Sequence, residues 1–426
     1  MRPTNFRRSW LSLAAAVLFA VAPAHADTRL IVRALGGLPL LQSACNLLGC
    51  HVQYGLGDPL DQVFLITTPN LLTGNLLLTI PGVLDVEIDQ VGKTLGATQQ
   101  GAPPALLDST PISYYGQTVR NGYVTQPATR IIGLANAQST FAVKGRGTVA
   151  VIDTGVDPSH PVLQGVLLPG YDFTRNQNGA DEKGDVTQST TAVIDQSTTA
   201  VIDQSTTAVI DPYTAGQLNV AQYQAFGHGT MVAGVIHLTA PGATILPLKS
   251  FKADGTGYDS DVIRAIYYAV RNGATILNMS FSFASPSSEL KAAISNANKN
   301  GAICVAAAGN DGKQTSVYPA AYSGMVMGVA STSNNDTLSS FSNYGSMVWV
   351  GAPGEGVVTL FPFGTYAATW GTSFSTPFVA GTAALLLDIA PANESQAAAA
   401  IAHAVYVSGT GNGRLDVAAA LTAWKP

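Results

Sequence analysis

The feature that most restricts the fold is a series of short apolar runs, TVAVID, ATILPLK, ATILNMS, AICVAAA and MVMGVA, beginning at Thr148 and recurring over the following two hundred or so residues. Each is nearly continuous in apolar residues, without the in/out alternation of a half-exposed strand, so each reads as a strand covered on both faces. Helical periodicity appears between and after them, at 228–238, 260–271, 287–300, 373–388 and 395–405. The alternation predicts an α/β layer architecture around a mainly parallel sheet, with function gathered beyond the carboxyl ends of the strands.

Upstream the text differs. Residues 1–26 combine Arg2, Arg7 and Arg8, an apolar run from Trp10 to Val21, and Ala24-His25-Ala26 before Asp27. This is the layout of an export signal, with the ordinary and twin-arginine routes both open. Residues 27–91 read as strand, helix, strand, helix, strand, a small α+β unit. Residues 92–126 are rich in Gly, Pro, Gln, Ser and Tyr and read as a linker, so the large unit is expected at 127–426.

Cys45 and Cys50 could pair only if the helix carrying them ends in between, a stop that Gly49 could supply. Cys304, inside AICVAAA, reads as a small buried apolar residue. The chain carries a formal charge of -5 and has no basic run or basic-aromatic stripe after its first residues, which excludes nucleic acid as a favoured partner. No later segment reads as a membrane helix, so the processed protein is expected to be soluble.

Three local patterns fall at strand ends or helix starts: AVIDTG around Asp153, GHGTMVAG around His228 and GTSFSTP around Ser373. A serine hydroxyl is a poor nucleophile until a neutral imidazole takes its proton, and the imidazole needs a carboxylate to fix its tautomer and stabilise its cation. Asn310, ending AAAGN, could donate its amide to a developing oxyanion together with the Ser373 N–H. His160, between prolines in DPSHP and without a following Gly-Thr, reads as structural. An α/β-hydrolase esterase would need a G-x-S-x-G elbow and the order Ser, Asp, His. Here Ser373 comes last, within Gly371-Thr372-Ser373-Phe374-Ser375.

With these flanks, the order Asp153, His228, Asn310, Ser373 closely resembles the subtilases, the subtilisin-like serine endopeptidases; NMSFS and GNGRLDVAAAL extend the likeness from about residue 127 to the C-terminus. The resemblance implies a three-layer subtilisin-like fold and a triad of Asp153, His228 and Ser373, with Asn310 and the Ser373 N–H as oxyanion hole. Gly255, Thr256 and Gly257, with Ser280, Phe281 and Ser282, would be the edges that bind a protein or peptide substrate. It also implies that residues 27–91, ending in PGVLDVEIDQ, are a ferredoxin-like propeptide. That unit would assist folding, inhibit the enzyme and be cut away in or near the linker, making the product a secreted, extracellular or periplasmic monomer. An inactive scaffold that merely binds is the alternative, and the intact set of four residues argues against it.

No cofactor is required for such chemistry. Calcium as a structural ion stays open, although ADGTGYDSD, with Asp254, Asp259 and Asp261, lacks the spacing of an EF-hand. Ser282 and Ala320 stand where glycines are common in the family, which implies weaker acceptance of large aromatic residues before the cut bond. Because the base must be neutral, activity should fall on acidification.

The phrase Ala-Val-Ile-Asp recurs at Asp195, Asp203 and Asp211 in an eight-residue repeat. From Asp181 to Asp211 six acidic residues face one lysine, a sum of -5 that equals the charge of the whole chain. This acidic insertion, at about 181–212, could be a surface β-ribbon, a loop or a ligand site; Asp153 alone has the Thr-Gly turn and the downstream partners of a triad aspartate.

Overall fold

The computed structural model describes residues 27–70, 72–94, 103–186 and 221–424. The signal at 1–26 and the repeats at 189–212 lie outside these residues.

The N-terminal unit runs β1 (Thr28–Ala34), a helix (Gly37–Leu48), β2 (His51–Gly55), β3 (Val63–Thr68), a helix (Leu72–Leu77) and β4 (Val83–Ile88). Its four strands form an antiparallel sheet in the order β2-β3-β1-β4, a ferredoxin-like βαββαβ path. The sequence reading had one strand fewer, because β2 (HVQYG) is polar and largely exposed, leaving no apolar pattern to detect. The first helix stops at Gly49, in the left-handed region at φ 71°, and the chain then turns so that Cys50 reaches Cys45 in a disulfide. Leu30, Val32, Leu41, Phe64, Ile66 and Leu77 form the core between this sheet and its helices.

β5 (Val91–Lys93) follows. Within the stretch expected to be a linker, residues 103–126 pack against the body. A hairpin of β6 (Pro111–Tyr114) and β7 (Gln117–Arg120) leads to a helical turn, Asn121–Val124. Buried Tyr114 and Tyr123 donate their hydroxyls to the carbonyls of Leu238 and Gly234, at 2.6 and 2.7 Å, on the helix His228–Thr239. The body therefore begins by residue 103 rather than 127. Composition misled because Gly, Pro and Tyr here serve tight turns and buried rings.

The body is organised by β8 (Thr148–Asp153), β9 (Tyr171–Asp172), β10 (Gln177–Asn178), β11 (Thr244–Lys249), β13 (Ile276–Met279), β14 (Ile303–Ala307), β15 (Met327–Thr332) and β16 (Val348–Pro353). They form one sheet in the order β10-β9-β11-β8-β13-β14-β15-β16, parallel except at the β9/β10 edge. Alternate strand residues enter two cores. Val149, Val151, Ile303 and Val305 face the helices His228–Thr239 and Thr372–Ile389, while Ala150, Ile152, Cys304 and Ala306 face Asp259–Arg271 and Ser288–Lys299.

These four helices match the expected positions to within a residue, and the last predicted one is shorter, Glu394–Ile401. Thr372–Ile389 is long and apolar enough to cross a membrane, contrary to the sequence reading, but 83% of it is buried inside the protein, where it forms the centre of a core.

Candidate active site

Asp153 is the last residue of β8, and its carbonyl accepts from the N–H groups of Ser250 and Phe251 at the end of neighbouring β11. Its side chain is fully buried. Oδ1 stands 2.7 Å from His228 Nδ1 and also accepts from the Thr154 N–H at 2.7 Å. His228 is the first residue of its helix. Two glycines let that helix start come so close: Gly155 sits at φ 104°, and a Cβ on Gly229 would lie 1.9 Å from the Gly155 carbonyl oxygen.

One side chain that the sequence reading assigned to the acidic insertion holds both halves of this pair. Glu182 is fully buried and accepts from Thr154 Oγ1 at 2.9 Å, from the Gly227 N–H at 3.0 Å and from Thr230 through its N–H and hydroxyl. Burial pushes its carboxyl up to about 8, against the pull of hydrogen bonds from Thr230 and Thr154. Buried Lys249 braces the same turn, donating to the Thr154 and Phe251 carbonyls at 2.6 and 2.8 Å and to Asp185 at 2.7 Å. Residues 182–185 are thus part of the site's frame, and the insertion begins after them. No local signal marked Glu182, because its partners lie 28 to 48 residues away in sequence.

Ser373 lies in the first turn of Thr372–Ile389. Its hydroxyl donates to the Ser280 carbonyl at 3.2 Å rather than to His228. Asn310 Oδ1 accepts from the Thr372 N–H and hydroxyl at 2.9 and 3.0 Å, which fixes the amide with its Nδ2 as the donor end. Both residues line a cavity of about 170 Å³ with Lys93, Phe281, Ser282, Ala307, Gly309, Asp311 and Thr372. Ser282 is among these lining residues, whereas Ala320 is fully buried in the core against the second pair of helices. His160 is structural, accepting from the Val162 N–H at 3.3 Å, with Nε2 3.2 Å from the Thr365 carbonyl.

The two edges predicted to bind a peptide already hold one. β5 pairs antiparallel with β12 (Thr256–Tyr258), Thr256 opposite Lys93 and Gly257 opposite Gly92. On its other side Lys93 exchanges two backbone hydrogen bonds with Ser282, at 3.0 and 2.9 Å. The Thr94 N–H donates to the Gly255 carbonyl at 3.1 Å; its hydroxyl donates to Ser280 O at 3.1 Å and lies 2.9 Å from His228 Nδ1.

The unit that delivers this strand also caps two body helices, where carboxylates meet unpaired N–H groups and the positive end of the helix dipole. Glu87 accepts from Ser287 Oγ at 2.6 Å and the Ser288 N–H at 2.8 Å. Asp89 accepts from the N–H and hydroxyl of Ser260, both at 2.8 Å, and pairs with Arg29 at 2.7 Å. The candidate calcium loop does not fit a cation site: Asp254 turns back on Thr256, Asp261 pairs with Arg264, and Asp259 points into the protein. Among the described residues no group of three His, Cys, Asp or Glu side chains could hold a metal ion.

A parallel α/β sheet with an acid–imidazole pair at the carboxyl end of a central strand, a serine in the first turn of a core helix, and edges that hold an extended chain, fits a serine hydrolase acting on peptides. The Subtilase family model matches residues 145–416. The chain belongs to the subtilase family and is a serine-type endopeptidase. It is 35% identical to thermitase of Thermoactinomyces vulgaris over 285 residues, 64% of this chain and 87% of that protein. It is 40% identical to subtilisin BL of Lederbergia lenta over 169 residues, 38% of this chain and 62% of that one. Fervidolysin from Fervidobacterium pennivorans, described as a keratinolytic enzyme related to subtilisin, has the same fold: TM-score 0.71 at 22% identity, covering 94% of this chain and 61% of that one.

Proposed function

We propose that the protein is a secreted endopeptidase made as a self-cleaving zymogen, active as a monomer. Ser373 attacks the peptide carbonyl, His228 takes and returns the proton, Asp153 orients the imidazole and stabilises its cation, and Asn310 with the Ser373 N–H holds the oxyanion. An acyl-enzyme forms on Ser373 and water releases it. The strand Val91–Thr94 carries this reading: it lies between the two peptide-binding edges, with Thr94 against His228.

The cavity lined by Phe281, Ser282, Asn310 and Ser373 suits the side chain of the substrate residue whose carbonyl is attacked. Counting on from Thr94 in the sequence, the bond cut in maturation is then Leu95–Gly96, within the expected 92–126 interval. After the cut the N-terminal unit stays as an inhibitor until it dissociates. Ser282 narrows the cavity and disfavours large aromatic residues there.

Expression of the full chain beside Ser373→Ala tests this. The wild type should yield a product beginning at Gly96 and label with a fluorophosphonate. The variant, having lost its nucleophile, should fall by about 10⁵-fold or more in peptide cleavage and keep residues 27–95 attached. A wild type that neither sheds this unit nor labels would leave only a binding scaffold.

A further inference from the structure

The peptide path is closed to side chains at one position. In the pairing of β5 with β12, Gly92 faces Gly257, so on an antiparallel ladder any side chains on the two would leave the same face of the ribbon. Neither has room. A Cβ on Gly92 would lie 2.6, 2.9 and 2.9 Å from three carbons of the Phe283 ring. A Cβ on Gly257 would lie 2.4 Å from the Ser250 carbonyl oxygen and 2.6 Å from the Phe251 ring.

The Phe283 ring has little freedom to move away. Its backbone exchanges two hydrogen bonds with Tyr318, at 2.7 and 3.0 Å. With Val91–Lys93 in place Phe283 is buried, its ring edge-on to Phe281 at 5.8 Å, and Phe281 in turn lies 4.9 Å from Phe251. A wall of three rings therefore stands where the side chain of the strand residue should go.

We propose that Phe283 determines specificity, selecting substrates with glycine at the position Gly92 occupies, three residues ahead of the residue whose carbonyl is attacked. This rests on reading Val91–Thr94 as lying in the substrate's own register. The substrate class is an extended peptide of the pattern Gly-x-Thr-Leu, with a bare backbone against the ring wall and a small β-hydroxy residue at His228. Larger side chains at the first position must displace a buried ring, a steric rejection that requires no new contact to glycine.

The test uses the enzyme matured from the full chain and four fluorogenic peptides, acetyl-Xaa-Lys-Thr-Leu with the reporter as leaving group and Xaa as Gly, Ala, Leu or Phe. For the wild type, kcat/KM is expected to be highest for Gly and about 10-fold or more lower for Leu and Phe. Phe283→Ala should raise Leu and Phe relative to Gly by about the same factor. Equal or faster cleavage of the Leu or Phe peptide by the wild type overturns the proposal, whatever the variant does. Absence of all cleavage and of fluorophosphonate labelling overturns instead the reading of the site as an active protease.

Discussion

The body covers its large sheet on both faces with its own helices, whereas the N-terminal sheet covers only one face with its own. The other face, carrying Ile31, Val63 and Leu65, joins Leu56 in the same core as Val262, Ile266, Leu290 and Ile294 of the body. Of the sixteen exposed large apolar side chains among the described residues, ten lie between Leu35 and Val91. At about 1.5–3 kcal/mol for each fully buried aliphatic side chain, losing the body would cost this small unit a large part of its stabilisation. It is thus complete only as a bound object, stapled internally by Cys45–Cys50. The body keeps one core wholly its own and shares the other; the unit has no equivalent independence.

The difference can be probed at the carboxylates that join the two parts. Asp89→Ala removes a helix cap and leaves the partly buried Arg29 without its partner. The expected result is inhibition of the matured enzyme by added residues 27–95 that is about 30-fold or more weaker, with cleavage of small peptides unchanged. An unchanged inhibition constant would mean that the apolar face alone does the binding.

A smaller effect comes from pH. Burial raises the carboxyls of Glu87, Asp89 and Asp259, and raises that of Asp261 to about 6, while the charge of Arg29 pulls Asp89 the other way. A carboxyl raised in the joined state binds more protons there than when free. Its contribution to joining is full in acid and fades as the pH rises through the shifted value. Inhibition by the N-terminal unit should weaken several-fold between pH 5 and pH 8. A constant that is flat or tighter at pH 8 would count against the carboxylate cluster.

The smallest expected effect is none: deleting one STTAVIDQ octad should leave maturation and peptide cleavage within a factor of two of wild type. A loss of self-cleavage would bring the repeat into the mechanism.

What the sequence made legible follows from how local each signal is. Strands buried on both faces announce themselves as unbroken apolar runs, so TVAVID and AICVAAA could be placed without partners. Asp153, His228 and Ser373 lay in short motifs whose glycines serve nearby turns. Glu182, Gly92 and Phe283 were invisible because their meaning depends on residues far away in sequence: Thr230, Gly257 and the docked strand. Residues 103–126 were read as linker because buried tyrosine hydroxyls that find helix carbonyls leave no periodic trace.

Glu182 has one further consequence. By tying Thr154 to Gly227 and Thr230, it fastens the chain just before the octads to the chain just after them. In the chain, Asp153 and Glu182 precede the octads and Gly227, His228 and Thr230 follow them, so the repeated text falls between the two fastened ends. At the level of the gene, such a stretch can gain or lose whole units by slippage in copying. Closely related strains should therefore carry this protease with different numbers of octads and the same spacing between Asp153 and Glu182.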